Sequence, residues 1–273
     1  MVRFQLSPVE IGASLWRNRN LVKVLVRREI MGRYQGSLLG MLWSFFNPVF
    51  MLAVYTFVFS VVFKARWGTG GSGSKAEFAL VLFAGILVFN LFAECINRAP
   101  ALILSNPTYV KKVVFPLEIL PWVNLGAALF HLLISLAVWL LFSLFIFGFP
   151  PLASLLFPLL LVPLVLITMG LSWFVASLGV FLRDVSQVIG ILTTALMFLT
   201  PIFYPVTAIP EAYRRLLYLN PLTFIIDQTR DLLIFGKGVA WGHWGLLTLA
   251  SAMVAWFGFV WFQKTRKGFA DVL

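Results

Sequence analysis

Groups that carry chemistry are scarce in this sequence, which has one cysteine, two histidines and ten acidic residues among its 273. Because Cys95 stands alone, neither a disulfide framework nor a CxxC or Cys/His metal site is available. No Ser/His/Asp group and no pair of carboxylates occurs at a usable spacing, which argues against an enzyme. The first 36 residues are charged throughout and lack the compact apolar core and small-residue cleavage site of a signal peptide.

Charge is scarce as well, at 11% of residues compared with about 25% in a typical soluble domain. Hydrophobic residues make up 61% of the chain, and the mean hydropathy is +0.96. Such a chain cannot cover a water-facing surface, so we expect an integral membrane protein. Its apolar runs of about 20 residues predict spanning helices and not the alternating strands of a barrel.

Six apolar runs predict an all-α polytopic membrane protein, folded as one transmembrane domain over residues 1–273. The third and fourth runs are longer than the roughly 20 residues that a span needs, which predicts that they tilt or kink. The predicted spans lie at about 38–63, 79–98, 117–147, 152–182, 185–203 and 244–263.

The net charge of +11 is best explained by membrane topology, and we expect no nucleic-acid partner. With six spans, both termini lie on one side of the membrane. That side carries 14 Lys and Arg residues and the opposite side carries 7. Since cytoplasmic loops are enriched in these residues, both termini are predicted to be cytoplasmic.

The N-terminal segment predicts an amphipathic helix over about 8–19. Ser7 is placed as the N-cap, Pro8 at the first helical position and Glu10 at the third. Its mixture of apolar and basic residues suits a helix in the headgroup plane, and a solvated cytoplasmic helix is the alternative. Glu29 and Arg33, four positions apart, predict a pair on a second helix that leads into the first span.

The segment SNPTYVKKVVFP, residues 105–116, is basic and polar between two apolar runs. Asn106 and Pro107 predict the start of a short cytoplasmic helix, and Pro116 predicts its end. Such a helix would display Tyr109, Lys111 and Lys112. A stiff displayed helix between two spans is what a soluble partner needs for docking.

On the predicted outer side, GTGGSGSK at 68–75 lacks the Gly-Lys-Ser/Thr of a phosphate loop and is predicted to be a flexible linker. We therefore expect no nucleotide site in this chain. The longest connection, about 204–243, predicts one helix opened by Pro210 and another opened by Asn220 and closed by Gly236. Because this external segment is apolar, we expect it to re-enter the outer half of the membrane.

Four polar residues fall on one face of the second span: Asn90, Glu94, Asn97 and Arg98. Ionisable residues inside a span usually face a bundle interior or a wet cavity, and Glu94 and Arg98 are spaced to pair. Two interpretations stay open, the polar wall of a transport path and a structural network. His131, in the third span, is interpreted as a packed, hydrogen-bonded histidine.

Aromatic residues crowd the first span and offer flat faces for sugar rings, although lipid contact and packing are the simpler interpretation. We take three of them as candidate path residues: Phe45, Tyr55 and Phe59.

Four stretches together resemble the membrane subunit of ATP-binding-cassette exporters for polysaccharides. They are RREIMGRYQGSLLGMLWSFFNPV (27–49), SNPTYVKKVVFPLEILP (105–121), FLRDVSQVIGILTTALMFLTPIFYP (181–205) and LNPLTFIIDQTRDLL (219–233). The sequence is most similar to exporters of the O-antigen of lipopolysaccharide, then to those of teichoic acid and, less closely, of capsule. The R-Y-x-x-S-x-L-G-x-x-W block and the R-D-x-x-x piece that begins at Arg183 are the most specific parts of the resemblance.

The resemblance implies a non-catalytic subunit of the inner membrane that pairs with a second copy and with two ATPase subunits, which bind the ATP and Mg. It implies an interface helix at about 8–19 and gate helices at about 210–235, whose candidate residues are Tyr213, Tyr218, Asp227 and Arg230. It implies a lipid-linked polysaccharide as cargo. It also implies a coupling helix at about 105–116, with Asn106, Pro107, Thr108, Tyr109, Val110, Lys111 and Lys112 as docking residues.

Two rival hypotheses remain from the sequence. One keeps the architecture and changes the cargo to a drug or a small lipid. The other is an intramembrane enzyme that acts on lipid-linked sugar, and the absence of clustered acids weighs against it.

Overall fold

The computed structural model describes residues 6–58, 75–111 and 115–272, and within these ranges it contains helices and no strands. This agrees with the all-α prediction. The α-helices are α1 (Pro8–Arg17), α2 (Arg19–Tyr34), α3 (Trp43–Tyr55), α4 (Lys75–Arg98), α5 (Pro107–Lys111), α6 (Leu120–Ile146), α7 (Phe157–Phe181), α8 (Val185–Leu199), α9 (Glu211–Leu219), α10 (Pro221–Leu233), α11 (Trp241–Thr265) and α12 (Phe269–Val272).

Five helical segments among the described residues are long and apolar enough to cross a membrane: Gly40–Val58, Ala76–Ala101, Leu117–Ile146, Leu152–Phe181 and Trp241–Val272. The predicted fifth span is instead the 15-residue helix α8, which ends at Leu199. Thr200 adopts extended backbone, as expected for a residue before proline, and the helix does not continue to 203. Residues 59–63 of the predicted first span lie outside the described residues.

Helix α4 is the centre of the subunit, since it contacts α3, α6, α7, α8 and α10. The most extensive helix pair is α7 with α11. Their backbones approach closely at Gly170 and Gly258, where a Cβ added to Gly258 would lie 2.0 Å from the Gly170 carbonyl oxygen. Small residues at such a crossing let two membrane helices pack backbone to backbone.

The N-terminal helices lie against the membrane bundle. The indole Nε1 of Trp256 in α11 donates to the Leu6 carbonyl at 3.0 Å, so the start of α1 lies beside α11. Helix α2 packs on α6, where Gly126 leaves room for Val26. Helix α1 begins at Pro8 as predicted, but the Ser7 side chain makes no capping bond.

The connection between α8 and α11 contains the two predicted helices, both of which begin where they were predicted, while α10 ends at Leu233, three residues before Gly236. Helix α9 begins after Pro210, and the Asn220 side chain accepts the Leu222 N–H at 3.0 Å at the start of α10. Gly236 has a φ of +64°, the left-handed conformation that commonly follows a helix end.

Candidate functional site

The segment between the second and third spans, predicted to be cytoplasmic, forms α5, a single turn from Pro107 to Lys111. Pro107, Thr108 and Lys111 are exposed, while Tyr109 and Val110 are partly buried. The Asn106 amide donates to the Leu102 carbonyl at 2.9 Å, which fixes the chain where it enters the turn. Lys112 lies outside the described residues.

Tyr109 anchors α5 to two other elements. Its ring stacks on Phe115 with a centroid distance of 4.2 Å and an interplanar angle of 6°. Arg28 of α2 donates to the Tyr109 hydroxyl at 2.8 Å. A displacement of α5 would therefore act directly on α2 and on the chain that enters α6.

Glu118, just before α6, is a buried acid at which four parts of the chain meet. Arg266 donates to its Oε2 at 2.6 Å and to the Phe115 carbonyl at the same distance. Ser14 of α1 donates to Oε1 at 3.1 Å, and the Trp173 indole of α7 donates to the Glu118 carbonyl. We call Ser14, Phe115, Glu118, Trp173 and Arg266 the Glu118 hub.

Helices α2 and α4 are joined by two ion pairs. Arg33 Nη2 lies 2.8 Å from Glu94 Oε1, and Arg98 pairs with Glu29. The predictions that Glu29 pairs with Arg33 and that Glu94 pairs with Arg98 are therefore wrong. On α2 and α4 the opposite charges lie at matching heights, so each glutamate pairs with the arginine of the other helix.

His131 of α6 completes this polar cluster. Its Nδ1 lies 2.9 Å from Glu94 Oε1, and its Nε2 lies 3.2 Å from the Tyr34 hydroxyl. Arg33 Nη1 lies 3.1 Å from the same Nδ1, so the imidazole contacts an acid, a base and a phenol at once. The histidine is packed and hydrogen-bonded, as interpreted from the sequence.

A cavity of 230 Å³ opens beside this cluster, between α3, α4 and α6. Glu94 and Asn90 line it from α4, and Asn47 lines it from α3. The other two α4 candidates lie elsewhere: Asn97 accepts from Thr193 of α8 at 2.8 Å, and Arg98 turns to α2. The four polar residues thus share a helix face but are divided among α2, α3, α6 and α8.

The aromatic candidates of the first span are separated in the structure. Phe45 is exposed and contacts Phe46 edge to face. Tyr55 is half-buried, and its ring centroid lies 6.4 Å from that of Phe203. Phe59 lies outside the described residues.

On the opposite side of the bundle, the candidate gate residues divide into an ion pair, in which Arg230 is buried and Asp227 is partly buried, and two exposed tyrosines. Arg230 is 2% exposed and donates to the carbonyls of Val81, Pro201 and Ile202 at 2.7–3.1 Å. It thereby ties α10 to α4 and to the turn after α8. Burial raises the pKa of the neighbouring Asp227 to about 6, against the opposing effect of the Arg230 charge. Tyr213 and Tyr218 are exposed on α9.

Residues 20–234, from α2 to the end of α10, match the family described as ABC-2 type transporter. The chain belongs to this family. The matched range includes α5, the polar cluster and the external helices, and the resemblance to ABC exporters seen in the sequence is confirmed.

Several curated relatives of this ABC-2 type transporter chain match almost end to end. It is 27% identical over 256 residues to an O-antigen export system permease protein RfbA of Klebsiella pneumoniae, covering 93% of this chain and 95% of the relative. It is 28% identical over 265 residues to RfbA of Myxococcus xanthus, covering 96% and 99%. A polysialic acid transport protein KpsM of Escherichia coli is 24% identical over 241 residues, covering 85% and 90%.

Sequence reasoning missed the Glu118 hub of this ABC-2 transporter chain. The sequence did offer one signal, because Glu118 is an acid at the start of an apolar run. A carboxylate that becomes buried there needs a partner. Its partner Arg266 is 148 positions away, so no spacing rule connects the two.

Proposed function

We propose that this chain is the permease subunit of an ABC exporter that moves a lipid-linked polysaccharide across the cytoplasmic membrane. A separate ATPase subunit would bind and hydrolyse ATP. The observation that carries the proposal is the end-to-end similarity to permeases named for O-antigen export, within a family match over residues 20–234.

The architecture that we propose has six crossings and cytoplasmic termini. Helix α8 has 15 residues and a length of about 22 Å, short of the roughly 30 Å of hydrocarbon. The non-helical turn after Thr200 would complete this crossing. The buried carbonyls of Pro201 and Ile202 in this turn accept hydrogen bonds from Arg230, so this backbone has the partners that it would need at membrane depth. Helices α9 and α10 would then be re-entrant gate helices.

In the proposed mechanism, the ATPase acts on α5, and two routes carry the displacement into the membrane. The first runs from Tyr109 through Arg28 to α2, and from α2 through Arg33 and Glu94 to α4. The second runs from Phe115 to the Glu118 hub, where α1 and α11 join. The residues along these routes transmit force and perform no chemistry themselves.

A second copy of the chain would form the other wall of the cargo path. Helices α3 and α8 present large exposed apolar side chains, among them Phe50, Ile191 and Phe198. Asn97 and Thr193 lie between these helices on α4 and α8, and would give the path a polar strip. We therefore propose a homodimer in contact with two ATPase subunits and with membrane lipid.

The test is co-purification of the chain with the ATPase encoded beside it. We expect a stoichiometric complex whose ATP hydrolysis rises on addition of lipid-linked polysaccharide. Lys111→Glu should weaken the complex, because it reverses an exposed charge on α5. Arg215→Glu, the same reversal on the predicted outer side, is the matched control. A complex that survives Lys111→Glu unchanged contradicts the docking role of α5, and absence of an ATPase partner contradicts the function.

The relative named for polysialic acid transport supports acidic capsule polysaccharide as a second candidate cargo. Parallel stimulation assays with a lipid-linked O-antigen and a lipid-linked polysialic acid would distinguish the two.

A further inference from the structure

The first membrane-crossing helix is held loosely, with a seam between it and the α4–α6 pair. Of the α3 side chains, those of Ser44 and Leu52 are buried. Two cavities open into the seam, one of 230 Å³ and one of 460 Å³. Pro48 lines the first and Val49 lines the second, so the cavities follow one another along α3, while on α4 their linings are separated by the residues between Leu80 and Leu87. We call the two together the α3 seam.

The larger cavity is apolar. Its one hydroxyl, that of Thr56, already donates to the Leu52 carbonyl at 2.6 Å within the same helix. The space is therefore suited to hydrocarbon. Its apolar lining includes Leu52, Ala53, Phe57, Leu80, Phe142 and Ile146.

The smaller cavity is polar and contains a charge pair. Arg33 and Glu94 lie side by side in its wall, with His131 and Tyr34 attached to them. Glu94 is one turn from the end of α4 that is predicted to be cytoplasmic. From Glu94 to Leu80 is 14 residues, or about 21 Å of helix. The seam thus runs from headgroup depth into the hydrocarbon, polar at one end and apolar at the other.

The charges in the polar cavity match a zwitterion. Glu94 Oε2 is contacted by His131 at 3.0 Å, and a carboxylate oxygen has room for a second donor. Arg33 uses one N–H of Nη2 on Glu94 and one of Nη1 on His131, and its other three N–H donors, the Nε–H among them, are suited to a phosphate. An acidic headgroup would be repelled by Glu94, and a quaternary ammonium has no N–H to donate to it. A headgroup with a phosphate and a primary amine satisfies both residues.

We propose that the α3 seam binds a membrane phospholipid with a primary-amine headgroup, as in phosphatidylethanolamine. The phosphate lies at Arg33, the ammonium lies at Glu94, and an acyl chain fills the cavity between α3, Phe142 and Ile146. This lipid is a resident component of the subunit and not its cargo. It fills the space that leaves α3 so poorly packed.

The test is native mass spectrometry of the purified full chain, titrated with phosphatidylethanolamine, phosphatidylglycerol and phosphatidylcholine of matched acyl chains. We expect one phosphatidylethanolamine per chain, bound about tenfold more tightly than the others, which corresponds to about 1.4 kcal/mol. Glu94→Gln should remove the preference for the amine. Ala53→Trp should fill the apolar cavity and weaken all three lipids.

The matched control is Ala137→Trp, which enlarges an exposed alanine of α6 that lines neither cavity. It should bind lipid like the parent chain. Equal affinity for the three lipids, or normal binding by Ala53→Trp, overturns the proposal. If lipid-linked polysaccharide displaces phosphatidylethanolamine, the α3 seam is a cargo site and the proposal is wrong. If Ala53→Trp changes the number of protein subunits in the complex, the seam is an interface with a second subunit and the proposal is also wrong. The assay needs neither ATPase nor transport, so its failure leaves the proposed function standing.

Discussion

Arg33 of α2 lies 2.8 Å from Glu94 of α4, although Glu29 stands only four positions away on its own helix. Glu94 likewise has Arg98 four positions away, and Arg98 pairs with Glu29 instead. Both helices therefore carry Glu-x-x-x-Arg, and they face each other so that every pair crosses between them. The peripheral helix α2 is in this way joined to the central helix at two points.

The ion pairs between α2 and α4 predict that a second charge reversal recovers the stability that a first one removes. Arg33→Glu places two carboxylates together and should destabilise the subunit by about 1–2 kcal/mol, between the values for exposed and for buried ion pairs, because Arg33 is 35% exposed and Glu94 19%. Adding Glu94→Arg restores opposite charges and should recover at least half of the loss. Thermal unfolding of the purified chain is the measurement. Arg27→Glu, at an exposed position of α2, is the control and should have little effect.

The Glu118 hub predicts a graded series. Glu118→Ala leaves the Arg266 guanidinium without its carboxylate and should cost about 3 kcal/mol. Ser14→Ala removes a single neutral donor to the same carboxylate and should cost about 1 kcal/mol. Melting temperatures of the two variants in one detergent would give the order. If Glu118→Ala and Ser14→Ala lowered the melting temperature equally, Glu118 would not be the group that holds both α1 and Arg266.

Arg230 predicts a non-additive pair of substitutions. A Cβ added to Gly85 would lie 2.7 Å from Arg230 Nη2, so Gly85→Ala should cost about 1–3 kcal/mol by overpacking. Arg230→Lys removes the guanidinium that donates to three carbonyls. The lysine ammonium is smaller than the guanidinium, so it leaves room for the methyl group that Gly85→Ala adds. The double variant should therefore be more stable than the sum of the single effects predicts, a coupling that a double-mutant cycle measures. Strict additivity would contradict the contact.

The packing of α7 on α11 predicts opposite outcomes for two glycines of one helix. Gly258→Ala would bring its Cβ within 2.0 Å of the Gly170 carbonyl oxygen, so the helices must separate and the melting temperature should fall. At Gly245 no atom lies within 4 Å of an added Cβ, and Gly245→Ala should be neutral or slightly stabilising because alanine favours helix. Equal melting temperatures for the two variants would contradict the close crossing.

Local signals in the sequence predicted local structure well. Asn220 with Pro221 opens α10 and Gly236 closes it, because caps and left-handed turns depend on a few neighbouring residues. Asn106 with Pro107 likewise opens α5, which begins at Pro107 as predicted. The predictions of charge pairs within α2 and within α4 were wrong, because the spacing of residues along one helix does not show which neighbouring helix lies opposite. Glu29 and Glu94 could each pair with either Arg33 or Arg98, and in the folded chain each pairs with the arginine of the other helix.

The same limit applied to the candidate sites. The polar face of α4 was visible as a pattern from Asn90 to Arg98, but its division among α2, α3, α6 and α8 depends on how these helices assemble. The Arg230 contacts were invisible as well, since backbone carbonyls carry no sequence signal.

The Glu118 hub brings the N-terminal helix and the last helices together next to α5. Ser14 and Arg266 contact the same carboxylate, and α12 packs against α5. An affinity tag or fluorescent protein fused directly after α12 would therefore be attached close to the surface on which we propose that the ATPase docks. A label for assembly or imaging experiments is better placed at the turn around Gly148, at the far end of α6, where its bulk would leave that surface accessible.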